Sequence, residues 1–195
     1  MGENGLNREI KLSDVVRELP FSVSKNLYMG SLRDFAYRKH KYNHQFDFNI
    51  FLPTKGKNLQ RGLVWTLFQK QELIMSILKG VSIPNPSVIQ YKGKDKEVVI
   101  KIIDGKQRLD ALFGFVNNEF PIILLGEDYY YDKLPDNQNL QESIRYKIDS
   151  FSLHFDLAYE YYDDLISDDD KIAWFERINF FGTTQDRSHL EYLKR

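Results

Sequence analysis

Val98-Val99-Ile100-Lys101-Ile102-Ile103-Asp104-Gly105-Lys106-Gln107-Arg108-Leu109-Asp110-Ala111-Leu112-Phe113-Gly114-Phe115-Val116 changes its period in the middle. Val98, Val99, Ile100, Ile102 and Ile103 form a β-branched run, which favours a strand. Leu109, Leu112, Phe113 and Val116 then fall at i, i+3, i+4 and i+7, the spacing of one helical face. The stretch therefore predicts a strand, a tight turn at Asp104-Gly105, and a helix beginning near Lys106. Gly105 lets the backbone turn sharply or approach a ligand closely.

The start of that helix is chemically informative. The first N–H groups of a helix have no partner within it and form a ready anion site. Lys106 and Arg108 add cations there, where each opposes the helix dipole by about 0.3–1 kcal/mol. An anion such as phosphate between them would account for this placement. The structural alternative is a capping box from Asp104 to Gln107, contributing about 1 kcal/mol. It accounts for Asp104, Gly105 and Gln107 but leaves Lys106 and Arg108 unexplained.

Working outward, Ser87–Tyr91 and Val98–Ile103 read as a hairpin around Lys92-Gly93-Lys94-Asp95. Upstream, Thr66 and Gln69 predict a capping box for a helix bearing Leu73, Ile74, Ile77 and Leu78, ended by Gly80. Ile83-Pro84-Asn85-Pro86 should be extended, because a residue before proline avoids the helical region. Phe46, Phe48, Ile50 and Leu52 alternate with Asp47 and Asn49, predicting one half-buried strand before Pro53, followed by a basic loop at Lys55–Asn58. Short helices are expected from Ser13 to Leu19 and from Ser24 to about Tyr37. In the last third, strands are expected at Pro121–Leu125 and Phe151–Leu157. Helices are expected at Leu140–Ile148, Asp170–Asn179 and Asp186–Lys194. The alternation of elements is an α+β pattern in a single domain spanning 1–195, with residues 1–12 polar and frayed.

Composition narrows the function. The chain has 195 residues, 42% of them hydrophobic, which suits one domain with a sizeable core. The absence of Cys excludes disulfides and thiolate metal sites and fits the cytoplasm. No apolar run approaches membrane-spanning length, and the N-terminus lacks a signal-peptide core. A net charge of −1 means that any nucleic-acid contact must come from a local cluster. Arg38, Lys39, Lys41, Lys55 and Lys57 form the best basic candidate, although a solvated loop is the simpler reading.

Asp163-Asp164 and Asp168-Asp169-Asp170 could suggest a metal, but acids ahead of a helix more simply cap it, so no metal site is assigned. Trp65 reads as a core anchor. Tyr129-Tyr130-Tyr131, Tyr159, Tyr161 and Tyr162 read as core edges more readily than as stacking platforms. The four histidines are isolated and show no nuclease spacing.

Four motifs in order carry a family resemblance. Ile103-Asp104-Gly105-Lys106-Gln107-Arg108-Leu109 resembles the Asp-Gly-Gln-Gln-Arg signature of the GmrSD-type restriction-enzyme N-terminal domain family. Gln60-Arg61-Gly62-Leu63-Val64-Trp65 is similar to its Gln-Arg-x-x-x-Trp element, and Leu73–Pro84 to its helix, Gly, Ile-Pro connector. Phe175-Glu176-Arg177-Ile178-Asn179, followed by Gly182-Thr183-Thr184, resembles its C-terminal element.

The resemblance implies a ParB/sulfiredoxin-like fold, a small mixed sheet packed with helices. It further implies binding of a nucleoside triphosphate (ATP, GTP or CTP), with Mg2+ as a possible companion and hydrolysis coupled to the sensing of DNA in restriction or phage defence. By the same resemblance, Gln60, Arg61, Asp104, Gly105, Lys106, Gln107 and Arg108 would form the nucleotide site. Asp104 and Arg108 would be its catalytic candidates, with Arg61 and Arg108 in one cleft. Asp104 could hold a metal-bound water, orient Arg108 or cap the helix.

The implied partners are DNA or a separate nuclease or effector subunit. Lys106 departs from the signature, which has Gln there. The nuclease module that usually follows such a domain has no counterpart in these residues, so the chain alone is not expected to cut DNA. A DNA- or protein-binding module that has lost catalysis, and a metal-dependent DNase of the same fold, are the competing readings.

Overall fold

A computed structural model describes residues 19–34, 45–95, 97–180 and 192. Its centre is a five-stranded mixed sheet built from β1 (Ser24–Ser31), β2 (Gln45–Asp47), β5 (Ser87–Lys92), β6 (Val98–Asp104) and β9 (Ser152–Tyr161), in the order β1-β9-β5-β6-β2. β5 pairs antiparallel with β6 and parallel with β9; β2 joins β6 in parallel, and β1 joins β9 antiparallel. Two small hairpins, β3 (Phe51–Leu52) with β4 (Lys57–Asn58) and β7 (Ile122–Leu124) with β8 (Glu127–Tyr129), lie outside this sheet.

The sheet is covered on both faces, which explains why β6 is nearly continuous in apolar β-branched residues. Val88, Ile100, Ile102, Leu153, Phe155 and Leu157 pack against α1 (Leu67–Leu78), α2 (Lys106–Val116) and α3 (Gln138–Asp149). The alternate residues Ile89, Ile103 and Ala158 pack against Ile172, Trp174 and Phe175 of α4 (Asp168–Phe180) and against the β3–β4 hairpin. The architecture is α+β, as the alternating pattern predicts.

Local signals hold where the chemistry is strong. Thr66 and Gln69 form the reciprocal capping box of α1. At the other end Gly80 takes φ +76°, and the N–H groups of Gly80 and Val81 bond the carbonyls of Ile77 and Ser76, closing a Schellman cap. The acids in the first turn of α4 are held by neighbouring groups. Ser167 and Asp170 bond each other, buried Asp168 accepts from Thr54, and Asp169 pairs with Lys55. The groups of acids and histidines among the described residues form no metal-ligating cluster. No helix among them is long and apolar enough to cross a membrane.

Two expectations are corrected. Residues 24–31 are a strand, not a helix. Leu27, Tyr28 and Leu32 match a helical face, but pairing with β9 wins, and β1 absorbs the misfit through two register shifts and a positive φ at Asn26. The single strand expected over Phe46–Leu52 is two. Asp47 Oδ1 accepts from the N–H of Asn49 (2.8 Å), a local turn that sends β2 to the sheet and β3 to its own hairpin. Apart from Leu19 and Tyr192, the helices expected over Ser13–Leu19 and Asp186–Lys194 lie outside the described residues, as do Arg38, Lys39 and Lys41 of the basic patch and Gly182-Thr183-Thr184 of the C-terminal motif.

Candidate functional site

The turn after β6 is fixed by its glycine. Gly105 is the N-cap of α2 at φ +89°, a left-handed conformation that L side chains rarely adopt. A Cβ there would meet Pro86 Cβ at 2.8 Å, so the Pro84-Asn85-Pro86 connector lies directly against the turn. The anticipated capping box does not form: the cap has no side-chain hydrogen bond. Asp104 instead accepts from Arg108 Nη2 at 2.7 Å. Of the three roles open to Asp104, orientation of Arg108 is the one seen.

The remaining motif residues face the Gln60–Trp65 segment. Gln107 Oε1 accepts from the N–H groups of Val64 (3.1 Å) and Trp65 (3.2 Å), and its Nε2 donates to the Gly62 carbonyl (3.0 Å). Lys106 is buried, and its ammonium donates to Asn49 Oδ1 (2.6 Å) and to the Arg61 carbonyl (3.4 Å). Burial lowers its pKa from the ordinary 10.5, while Asp47 and Asp110 pull it back up. Gln60 donates to the Ile103 carbonyl (2.7 Å), and its Oε1 is buried without a hydrogen-bond partner among the described residues. These three side chains therefore hold the upstream segment onto the turn.

A cleft of about 770 Å³ opens on the other side. Asp104 and Arg108 line it with Asn85 and Ser87, Asp156 of β9, Lys25 of β1, and Trp174, Arg177 and Asn179 of α4. Three cations thus face two carboxylates, Asp104 and Asp156. Arg108 Nε is buried and has no hydrogen-bond partner among the described residues. At the rim Asn26 N–H donates to Asp156 Oδ1 (3.0 Å), and Asn85 donates to Asn26 Oδ1 (3.1 Å).

The expected site is therefore divided. Asp104 and Arg108 reach the cleft; Gln60, Lys106 and Gln107 serve the neighbouring segment. Arg61 is exposed and does not line the cleft, so the pocket expected to join Arg61 and Arg108 is not formed by these residues. Arg177 lines the cleft together with Arg108. Its motif is visible in the sequence, and its helix buries Trp174 and Phe175 while turning Arg177 and Asn179 to the cleft. The sequence reading missed Lys25, Asn85 and Asp156. Asp156 falls at a polar position of the β9 alternation, beside His154, and so gives no signal in the sequence.

The described parts of four separated motifs thus converge on one turn and its two sides, as they would in a shared domain type. No curated protein and no solved structure matches the chain. The family model for the GmrSD restriction endonuclease, N-terminal domain, matches residues 40–191. The chain belongs to this family, a domain of restriction-endonuclease systems.

Proposed function

We propose that the domain binds a nucleoside triphosphate in the cleft between α2 and α4 and acts as a nucleotide-dependent sensor or regulator in DNA restriction. The observation that carries this reading is the convergence of Arg108 and Arg177, from distant segments, on one cleft. Two guanidinium groups form a donor set matched to phosphate oxygens. The unpartnered Arg108 Nε supports a ligand acceptor at this place. A volume of about 770 Å³ lies within the ordinary range for a small-molecule site.

Within this reading Arg108 and Arg177 grip phosphate, with Lys25 as a third cation at the mouth. Asp104 holds the Arg108 fork in place. Asp104 and Asp156 are the carboxylates that a magnesium ion arriving with the nucleotide could meet, since Mg2+ commonly takes one or two carboxylates besides phosphate oxygens. Asn85, Asn179 and the rim of Asn26 offer amide groups for the sugar or base. A ParB-like relation remains part of this proposal.

The test is calorimetric titration of the chain with ATP, GTP and CTP, with and without magnesium, repeated on Arg108→Ala and Arg177→Ala. Saturable binding of at least one nucleotide, lost in both variants, is expected. Absence of heat with all three nucleotides, or full retention of binding in both variants, overturns the reading.

A further inference from the structure

The parallel register of β5 and β9 matches Ser87 with Asp156 at one end and Lys92 with Tyr161 at the other. The first pair lines the cleft. The second pair lies about 16 Å away, at roughly 3.3 Å per residue. By strand alternation Tyr159 and Tyr161 share the face of buried Leu153, Phe155 and Leu157, yet they are 42% and 41% exposed. Tyr162, which follows, is 48% exposed. None of the three rings belongs to either hydrophobic core, so the expectation that they form core edges is not met.

Cations stand among these rings. Lys92 Nζ lies 5.3 Å from the centre of the Tyr159 ring and 5.7 Å from that of Tyr161. Lys94 Nζ lies 5.1 Å from the centre of Tyr162. Neither lysine has a carboxylate partner among the described ion pairs.

We propose that this end of the sheet binds single-stranded nucleic acid, with bases stacked on Tyr159 and Tyr161 and phosphates met by Lys92 and Lys94. Side chains two residues apart on a strand stand roughly 6.6 Å apart on one face, so neighbouring unstacked bases can each take a ring. Any base has a π-face, and an interleaved cation serves the backbone, so such a platform is sequence-tolerant. A duplex keeps its bases stacked on one another and offers no such face. Asp163 and Asp164 in the following turn limit the electrostatic share. With two lysines engaged, log K should fall against log salt with a slope of about −1.4 or shallower.

The experiment is fluorescence anisotropy of the chain, without nucleotide, against labelled oligo-dT, oligo-rU and a blunt duplex. Saturable binding of single strands and much weaker binding of the duplex are expected. The preference between oligo-dT and oligo-rU identifies the strand's sugar. Tyr159→Ala and Tyr161→Ala should each weaken binding about tenfold, whereas Tyr159→Phe, which keeps the π-face, should bind like wild type. Lys92→Gln should flatten the salt slope by about 0.7. Circular dichroism identifies any variant that fails to fold, and the exposed Tyr159 provides the independent position. No saturable binding of either strand, equal binding of the duplex, or unchanged affinity in both folded alanine variants overturns the proposal. The nucleotide cleft plays no part in this measurement, so either reading can fail alone.

Discussion

Arg108 Nη2 lies 2.7 Å from Asp104 Oδ2, one helical turn away across the Gly105 cap. Both side chains are about one-fifth exposed, so the pair fixes where the guanidinium points more than it stabilises the fold. Pairs at this spacing contribute about 0.3–0.5 kcal/mol, whereas a charged hydrogen bond contributes about 1.5–3 kcal/mol.

Arg108→Ala should therefore separate binding from folding. Circular dichroism and the melting temperature should stay close to wild type, while nucleotide affinity falls about tenfold or more. An unfolded variant would make Arg108 a structural residue.

Gln107→Ala should act on the neighbouring segment. It removes the acceptor for Val64 and Trp65 N–H and the donor to Gly62. A loss of about 1–3 kcal/mol in urea unfolding is expected, with faster amide exchange at Val64 and Trp65. Unchanged exchange at both amides would count against the clamp.

Lys106 gives a pH dependence of known sign. Burial lowers its pKa, so the folded protein holds this proton less tightly than the unfolded chain. Below the folded pKa both states are protonated and the burial cost is present in full. As pH rises through the folded pKa toward the ordinary 10.5, the folded state releases its proton first and that cost falls. Wild type should therefore gain stability relative to Lys106→Met over that window, measured by urea denaturation across alkaline pH. A difference that shrinks with rising pH contradicts this assignment.

Glu160 has no exposed surface and is bonded by Lys101 (2.5 Å), Lys171 (3.0 Å) and the N–H of Ile166 (3.1 Å), joining β6 and β9 to α4. Glu160→Gln removes the only negative charge in this group and leaves the buried Lys171 and the half-buried Lys101 without it. Breaking buried pairs in this way costs about 3–5 kcal/mol, and denaturant midpoints should fall accordingly. A midpoint equal to wild type would show that the lysines escape to water.

The sequence by itself determined the elements whose signals are local. The β-branched run before Asp104 and the helical stripe from Leu109 to Val116 follow from side-chain period. Thr66, Gln69 and Gly80 bound α1 because capping bonds reach only a few residues. The four ordered motifs identified the family on the same terms. Local pattern failed at β1, where an unpaired β9 edge recruits residues that could equally have formed a helix, and at Asp47–Asn49, where one side-chain turn divides an apparent strand.

Tertiary structure alone decided how the motif residues divide. Lys106, Gln107 and Arg108 are consecutive, and a helix turns each about 100° from the last. The first two therefore meet the 49–65 segment, and the third meets the cleft. Which arginine completes the pair with Arg108 depends on where β9 and α4 carry Arg177, a contact between residues far apart in the chain. The same holds for Tyr159 and Tyr161: they share the alternation that buries Leu153, Phe155 and Leu157 and are nevertheless exposed, because burial depends on what the fold packs over each position.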